Sequence, residues 1–294
     1  MLLAGAAQAG SLQSCTSEPS LDAGAQSVLL RASLALKDEL GRHGQGVALI
    51  ARSGLALSWF GMRYSHAGLA LKNSPESPWA VRQLYFACDE GHPRLFDQGL
   101  TGFLMGTLEP ERGFLSVLLL PPEAAAPLEA LALDNRQALA LLDGRYSANA
   151  QAFALDYQNC NQWLAELIAT AWGQLPMPPG LLAEPRAVRA AAQDWLREQG
   201  YRGDLFELPA RPFTWLTAFS PWLNRDDHPE ADLAQARFEV SMPAAIERFV
   251  QQRVPGTTRL ELCHTRDRIV IRRNGPPLAD ECTAAAGDEV IALR

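Results

Sequence analysis

Two short stretches carry the residue types that thiol chemistry needs. One is Tyr157-Gln158-Asn159-Cys160-Asn161-Gln162-Trp163 and the other is Tyr64-Ser65-His66-Ala67-Gly68-Leu69. In a thiol enzyme the sulfur attacks a carbonyl carbon, an imidazole takes the proton and returns it to the leaving group, and a third polar group orients the ring. Cys160 stands at the head of a run in which Trp163, Leu164, Leu167, Ile168, Ala171 and Trp172 share one helical stripe, so it opens a helix. A thiol at the positive end of a helix dipole has its thiolate favoured. His66 sits in an alternating segment whose face otherwise carries only Gly68 and Ala70 beyond Tyr64, which leaves room for a helix bearing the thiol. A second account of Cys160 stands beside this one, that of a buried small apolar residue.

The orienting group is sought on the next strand. If the hairpin through Lys72–Pro78 folds symmetrically about Ser74 and Pro75, His66 lies opposite Gln83. A slip of one would bring Arg82 or Leu84 there instead. Tyr64, Asn159, Asn161 and Gln162 surround the pair as substrate-binding or supporting groups, with Asn159 and Gln162 read first as helix caps or support. Cys88, with His92 or His66 as partner, ranks behind Cys160 as a nucleophile. Cys88 and His92 alone are too few for a zinc site. Asp226-Asp227-His228-Pro229 reads as an Asp-rich turn, with a metal or active-site role as the alternative. His43, His92 and His264 lie in polar, turn-like contexts and read as surface residues. No cofactor and no metal is expected.

The elements that must position these residues follow from periodicity and punctuation. Helices are expected at Ala25–Leu40, ending at Gly41, at Leu128–Leu142, at Arg186–Gln199 and at Met242–Arg253. Strands are expected at Gly46–Ala51, Tyr64–Leu71, Trp79–Phe86 and Gly113–Leu120, then at Thr258–Cys263, Arg268–Arg273 and Glu289–Leu293. Phe96–Leu104 reads as a short helix or turn. The Pro-rich Gln174–Gly180 is a connection, and Tyr201–Arg237 is not assignable. The chain divides at 1–22, 23–173 and 174–294: an N-terminal segment, a core, and a C-terminal extension packed on the core.

Composition narrows the function classes. The chain has 294 residues, 48% hydrophobic and 20% charged, with a formal net charge of -7 and a pI near 5.3. An acid excess without a Lys/Arg stripe excludes a general nucleic-acid binder. No apolar run reaches the length of a membrane span. Ala7-Gln8-Ala9 has the small-x-small pattern that precedes a signal cleavage site, so 1–22 reads as a signal-peptide remnant and the protein as exported to the periplasm. Leu12-Gln13-Ser14-Cys15 fits a lipoprotein signal poorly, because Gln13 stands where a small residue is expected. Five cysteines leave one thiol unpaired in an exported protein. Cys263 with Cys282 could bridge, and Cys15 with Cys88 more weakly, in which case Cys160 is the free one.

The order of His66 on a strand followed far downstream by Cys160 at a helix start resembles the circularly permuted NlpC/P60-like branch of the papain-like superfamily. Tyr64-Ser65-His66-Ala67-Gly68-Leu69 stands for its Ser-His-small-Gly-aliphatic strand, and Asn159-Cys160-Asn161-Gln162-Trp163-Leu164 for its Cys-polar-polar-apolar helix start. The likeness covers about Gly46–Trp172, and the whole chain also resembles a family of uncharacterised conserved proteins of Gram-negative bacteria. The resemblance implies an α+β fold with an antiparallel sheet and a packed cysteine-bearing helix. It implies Cys160 as nucleophile and His66 as base, in a hydrolase or acyltransferase for an amide or ester carbonyl of a peptide, lipid or protein in the envelope. Gln83 departs from the usual second histidine of that group. A non-catalytic papain-like module that binds a peptide or envelope component is the other reading.

Overall fold

Every residue of Val47–Arg52 (β1) is buried, the mark of a strand covered on both faces. The computed structural model describes residues 21–55, 57–107, 109–177, 185–208 and 223–293. The signal-like segment, the lipoprotein-like stretch, the Cys15 pairing and part of the Tyr201–Arg237 stretch lie outside these residues. Helix α1 (Ala23–His43) precedes β1. After β1 come β2 (His66–Leu71), β3 (Ala80–Ala87), β4 (His92–Gln98), α2 (Leu100–Met105) and β5 (Gly113–Leu119). Then follow α3 (Pro122–Leu133), α4 (Asn135–Ala140), α5 (Cys160–Gly173), α6 (Pro185–Glu198), β6 (Asp204–Glu207) and α7 (Glu230–Ala234). The chain closes with β7 (Arg237–Val240), α8 (Pro243–Arg253), β8 (Thr258–His264), β9 (Arg268–Arg273) and β10 (Glu289–Ala292).

The fold is α+β. An eight-stranded sheet runs β10-β9-β8-β5-β1-β2-β3-β4, and β6 pairs with β7 in a separate ribbon. All the ladders of the large sheet are antiparallel. Alternation splits its side chains between two apolar layers. Leu49, Ala51, Leu69, Leu71 and Leu84 pack with α3, α5, α6 and α8. Ile50, Ala70, Val81 and Leu115 pack with α1 and α2.

The C-terminal part does not pack on a finished core. Its strands β8 to β10 continue the same sheet, with β8 paired along β5 from Gly113↔His264 to Leu119↔Thr258. Apolar alternation in both strands makes them fit partners, whatever their distance in sequence. The expected helix across Leu128–Leu142 is broken at Asp134, whose carboxylate accepts the N–H groups of Arg136 and Gln137 and caps α4. Of the expected short helix or turn at Phe96–Leu104, the first residues prove to be the end of β4, and the helix forms from Leu100 as α2. Pro93 and the charges of that strand suit a sheet edge, where a missing ladder N–H costs little. Cys263 and Cys282 form a disulfide.

Candidate active site

Asn159 begins the site, because it caps α5. Its backbone is extended and its carboxamide oxygen accepts the Gln162 N–H at 2.7 Å, satisfying one of the donors that a helix start leaves open. Its Nδ2 reaches back to the carbonyls of Ala148 and Ser241. Cys160 is therefore fixed as the first residue of the helix. It is the free cysteine among the described residues, whereas Cys88 is disulfide-bonded, which removes Cys88 as a nucleophile.

Cys160 is among the residues that line a cleft of about 250 Å³. Its walls are apolar, with Leu55, Leu57, Phe60, Phe206, Phe238 and Met242, and its few polar groups come from Ser65, Asn149 and Asn161. Asn161 donates to the Ser65 carbonyl at 3.3 Å, while its Oδ1 has no partner. Gln162 turns its amide to the carbonyls of Gln151, Ala152 and Ala154, which stitches the preceding loop to α5.

His66 opens β2 and is 2% exposed. Its Nε2 lies 2.8 Å from Gln83 Oε1, and Gln83 Nε2 donates to Gln98 Oε1 at 3.0 Å. The ring stacks on Tyr85 with centroids 4.7 Å apart and lies 5.9 Å from Phe103. With Nε2–H given to Gln83, the ring's lone pair is on Nδ1. The strand register differs from the expected one by two residues: Leu69↔Arg82, Ala70↔Val81 and Leu71↔Ala80 place Tyr85, rather than Gln83, opposite His66. A shift of two keeps parity, so Gln83 remains on the face of His66 as a diagonal neighbour.

The helix lies on the other face from the one expected. Residues of α5 share an apolar cluster with Ala67, Leu69 and Leu71, whereas His66 alternates to the side of Phe103 and α2. The larger side chains of the odd positions offer α5 more apolar contact. The space at Gly68 is used within the sheet: a Cβ there would meet the Arg82 carbonyl at 2.7 Å and Val81 at 2.8 Å. Among the described residues no hydrogen bond joins Cys160 to His66. The thiol instead meets the N–H of Ala67, the next residue along β2.

The electrostatics of the pair also depart from a helix-dipole expectation. Burial pushes the Cys160 thiol up to about 12, against the N–H groups of Asn161, Cys160 and Ala67 and the charge of Arg52. The thiol thus keeps its proton at neutral pH, because desolvation of a thiolate outweighs the helix terminus. Burial, helped by the nearby Arg52 guanidinium, brings His66 down to about 3, with the Gln83 hydrogen bond acting the other way.

Tyr64 turns to β8, where its hydroxyl donates to Glu261. His264 is not a surface residue: it is 4% exposed and burial lowers it to about 4. The strand pairing that closes β5 on β8 carries it inward. His92 is exposed, and His43 is half-buried beside the Leu120 carbonyl at 3.0 Å. Asp226–His228 forms a turn. There Asp227 accepts the Gln151 N–H at 2.8 Å and His228 Nε2 lies 2.8 Å from the Asn149 carbonyl. The turn thereby holds the Asn149 wall of the cleft. Among the described residues no cluster of His, Cys, Asp or Glu could hold a metal ion, and no helix is long and apolar enough to cross a membrane.

Two features escaped the sequence reading. Arg52 is buried opposite His66 on β1; its position at the end of an apolar strand was the available signal. Glu166 is fully buried in α5 and receives Gln158, Arg189 and Gln193 at 2.6, 2.9 and 2.7 Å. No local pattern announces partners so far apart in the chain. Neither the comparison with curated proteins nor that with solved structures found a match. The chain belongs to the family described as uncharacterized protein conserved in bacteria (DUF2145), which matches residues 39–250.

Proposed function

We propose that this protein is a thiol-dependent hydrolase or acyltransferase for an amide or ester carbonyl, with a permuted NlpC/P60-like core, Cys160 as nucleophile, His66 as base and Gln83 as the group that orients the ring. The observation that carries this reading is the free thiol at a capped helix start, lining an apolar cleft, next to the strand that holds a Gln83-bound imidazole. An apolar acyl group seats in the cleft with its carbonyl at the sulfur. The bond from sulfur to carbonyl carbon forms as the thiol proton passes to His66 Nδ1. The tetrahedral adduct collapses to a thioester, and the amine or alcohol leaves with the proton from the imidazolium. Water, or a second nucleophile, then takes the acyl group and restores the thiol. The ring is neutral in the free protein, with its basicity lowered by burial, and it lies on the face of β2 away from α5, so the reading requires substrate entry to bring Nδ1 within reach of the sulfur and to raise the basicity of the ring. Export to the periplasm is part of the proposal, supported by the Cys263–Cys282 disulfide, since such bonds persist in oxidising compartments. The substrate is a peptide, lipid or protein acyl group of the envelope.

Incubation with p-nitrophenyl butyrate tests this. Release of p-nitrophenol with a butyryl adduct on Cys160 is expected, absent in Cys160→Ala and slowed at least ~100-fold in His66→Ala. A second reading, a non-catalytic binding module, is favoured by one observation: the thiol retains its proton and has no hydrogen bond to His66. Equal binding of the ester by wild type and Cys160→Ala, with no adduct on either, would select it.

A further inference from the structure

We propose that a polar cavity beside the apolar cleft is the other half of one binding site, and that the site takes a single-chain amphiphile: an apolar chain of up to about ten carbons in the cleft and a zwitterionic head in the polar cavity. The inference rests on the reading of Cys160 as nucleophile for an acyl carbonyl, and it names the substrate class of that site.

The second cavity has about 510 Å³, and its polar wall comes from Ser53, Ser58, Arg63, Thr107, Glu109 and Arg112. Leu55 and Leu57 line both cavities, so the two meet across one short stretch of chain. That shared wall is bonded to the residues around the thiol. The Leu55 N–H donates to Ser65 Oγ at 3.0 Å, the Ser65 carbonyl accepts from Asn161 at 3.3 Å, and Asn161 follows Cys160 in α5. A carbonyl at the sulfur therefore has the apolar walls of Phe60, Phe206, Phe238 and Met242 to one side and hydroxyls and charges to the other.

The size of the cleft sets the chain. A dry apolar cavity of roughly 150 Å³ admits benzene, with six carbons. At about 250 Å³, the cleft has room for about ten on the same scale. The charges of the second cavity set the head. Arg63 is already held by Glu261 and Asp280. Arg112 and Glu109 are exposed, and neither has an ion-pair partner among the described residues. An anionic head would meet Glu109 and a cationic head Arg112, whereas a zwitterion can answer both. Ser53 Oγ and Thr107 Oγ1 each accept a backbone N–H, from Phe114 at 2.9 Å and from Glu109 at 3.2 Å, which leaves their own hydrogens to donate to the head. On acyl transfer the bond between carbonyl carbon and head breaks. The head leaves through the polar cavity with the proton that the thiol gave up, and the chain stays as the thioester.

The test uses n-alkylphosphocholines, zwitterionic single-chain amphiphiles that carry no acyl carbonyl and so report binding alone. They are titrated into the intact protein by calorimetry below their critical micelle concentrations. Affinity is expected to rise about fourfold per methylene and to stop rising at about ten carbons. Ligand at about ten times its Kd should slow iodoacetamide labelling of Cys160 about tenfold. An n-alkyl sulfate and an n-alkyltrimethylammonium ion of the same chain length should each bind more weakly. Arg112→Gln, a change at an exposed position, should weaken phosphocholine binding by about two- to fivefold and leave the dependence on chain length as it is. No saturable binding overturns the proposal, and so does an affinity that climbs past about ten carbons without a break. Binding that leaves Cys160 labelling unchanged overturns it too, because the chain is then elsewhere. An Arg112→Gln protein with wild-type preference among the three heads removes the polar half of the site and with it the amphiphile. Binding with the expected limits in a protein that forms no butyryl adduct leaves the amphiphile site standing and removes the enzyme reading. Adduct formation without such binding does the reverse.

Discussion

A histidine held uncharged in the interior makes folding sensitive to acid. His66 has a folded value of about 3 against 6.5 in water, so between those limits the unfolded chain binds a proton that the folded chain refuses. Stability is then lost as pH falls below about 6.5, by up to ~1.4 kcal/mol per pH unit. His66→Gln removes this contribution. Urea unfolding of both proteins between pH 7 and pH 5 is expected to show the wild-type advantage shrinking by about 2 kcal/mol. A difference that stays constant with pH would mean that the ring is not buried in its neutral form. The His66–Gln83 contact was legible in the sequence because strand parity survives a register error of two. The state of the Cys160 thiol was not, since it depends on how deeply α5 is covered, and the neighbouring residues do not encode that.

At the level of the element, α5 is more than an amphipathic helix on a sheet. Its apolar stripe was readable, but residues from Cys160 to Ala171 are buried all round, so polar groups on the other side need partners inside the protein. Glu166 meets that need with Arg189 and Gln193 of α6 and with Gln158 just before the helix. Through Gln158 the cluster reaches the Asp143 N–H and the Leu141 carbonyl, so it fixes the start of α5 as well as its middle. Burial raises the Glu166 carboxyl while Arg189 and the amides draw it back. Arg189→Met would leave a buried carboxylate uncompensated and is expected to cost about 3–5 kcal/mol in denaturant unfolding. Arg189→Met with Glu166→Leu should regain at least half of that loss. If the double variant is no better than the single, the pair is not the source of the cost. The same reasoning explains the misread face of β2: small residues invite an approach, but apolar area decides which face a helix covers.

Across the whole molecule, one sheet carries both the site and the C-terminal strands, and a polar cluster ties them. Glu261 of β8 accepts from Tyr64, from Arg63 at 2.8 Å, from Arg259 at 3.0 Å and from the Leu278 N–H at 2.7 Å. Leu278 belongs to the segment that the Cys263–Cys282 disulfide closes across 19 residues. The bridge was foreseeable from strand spacing; the continuity of the sheet was not, because pairing of β5 with β8 spans more than a hundred residues and no local signal specifies it. This arrangement separates stability from reactivity. Replacing both cysteines by serine frees a loop of that length in the unfolded state and is expected to lower unfolding stability by about 3 kcal/mol. The Glu261 contacts hold the segment in the folded state, and two strands, β5 and β1, stand between the bridge on β8 and the Ala67 N–H of β2 that meets the thiol. Iodoacetamide labelling of Cys160 under native conditions should therefore change by less than about twofold, well below the tenfold that 1.4 kcal/mol would produce. A larger change would show that the site depends on the C-terminal strap, and that the sheet transmits its loosening across those strands.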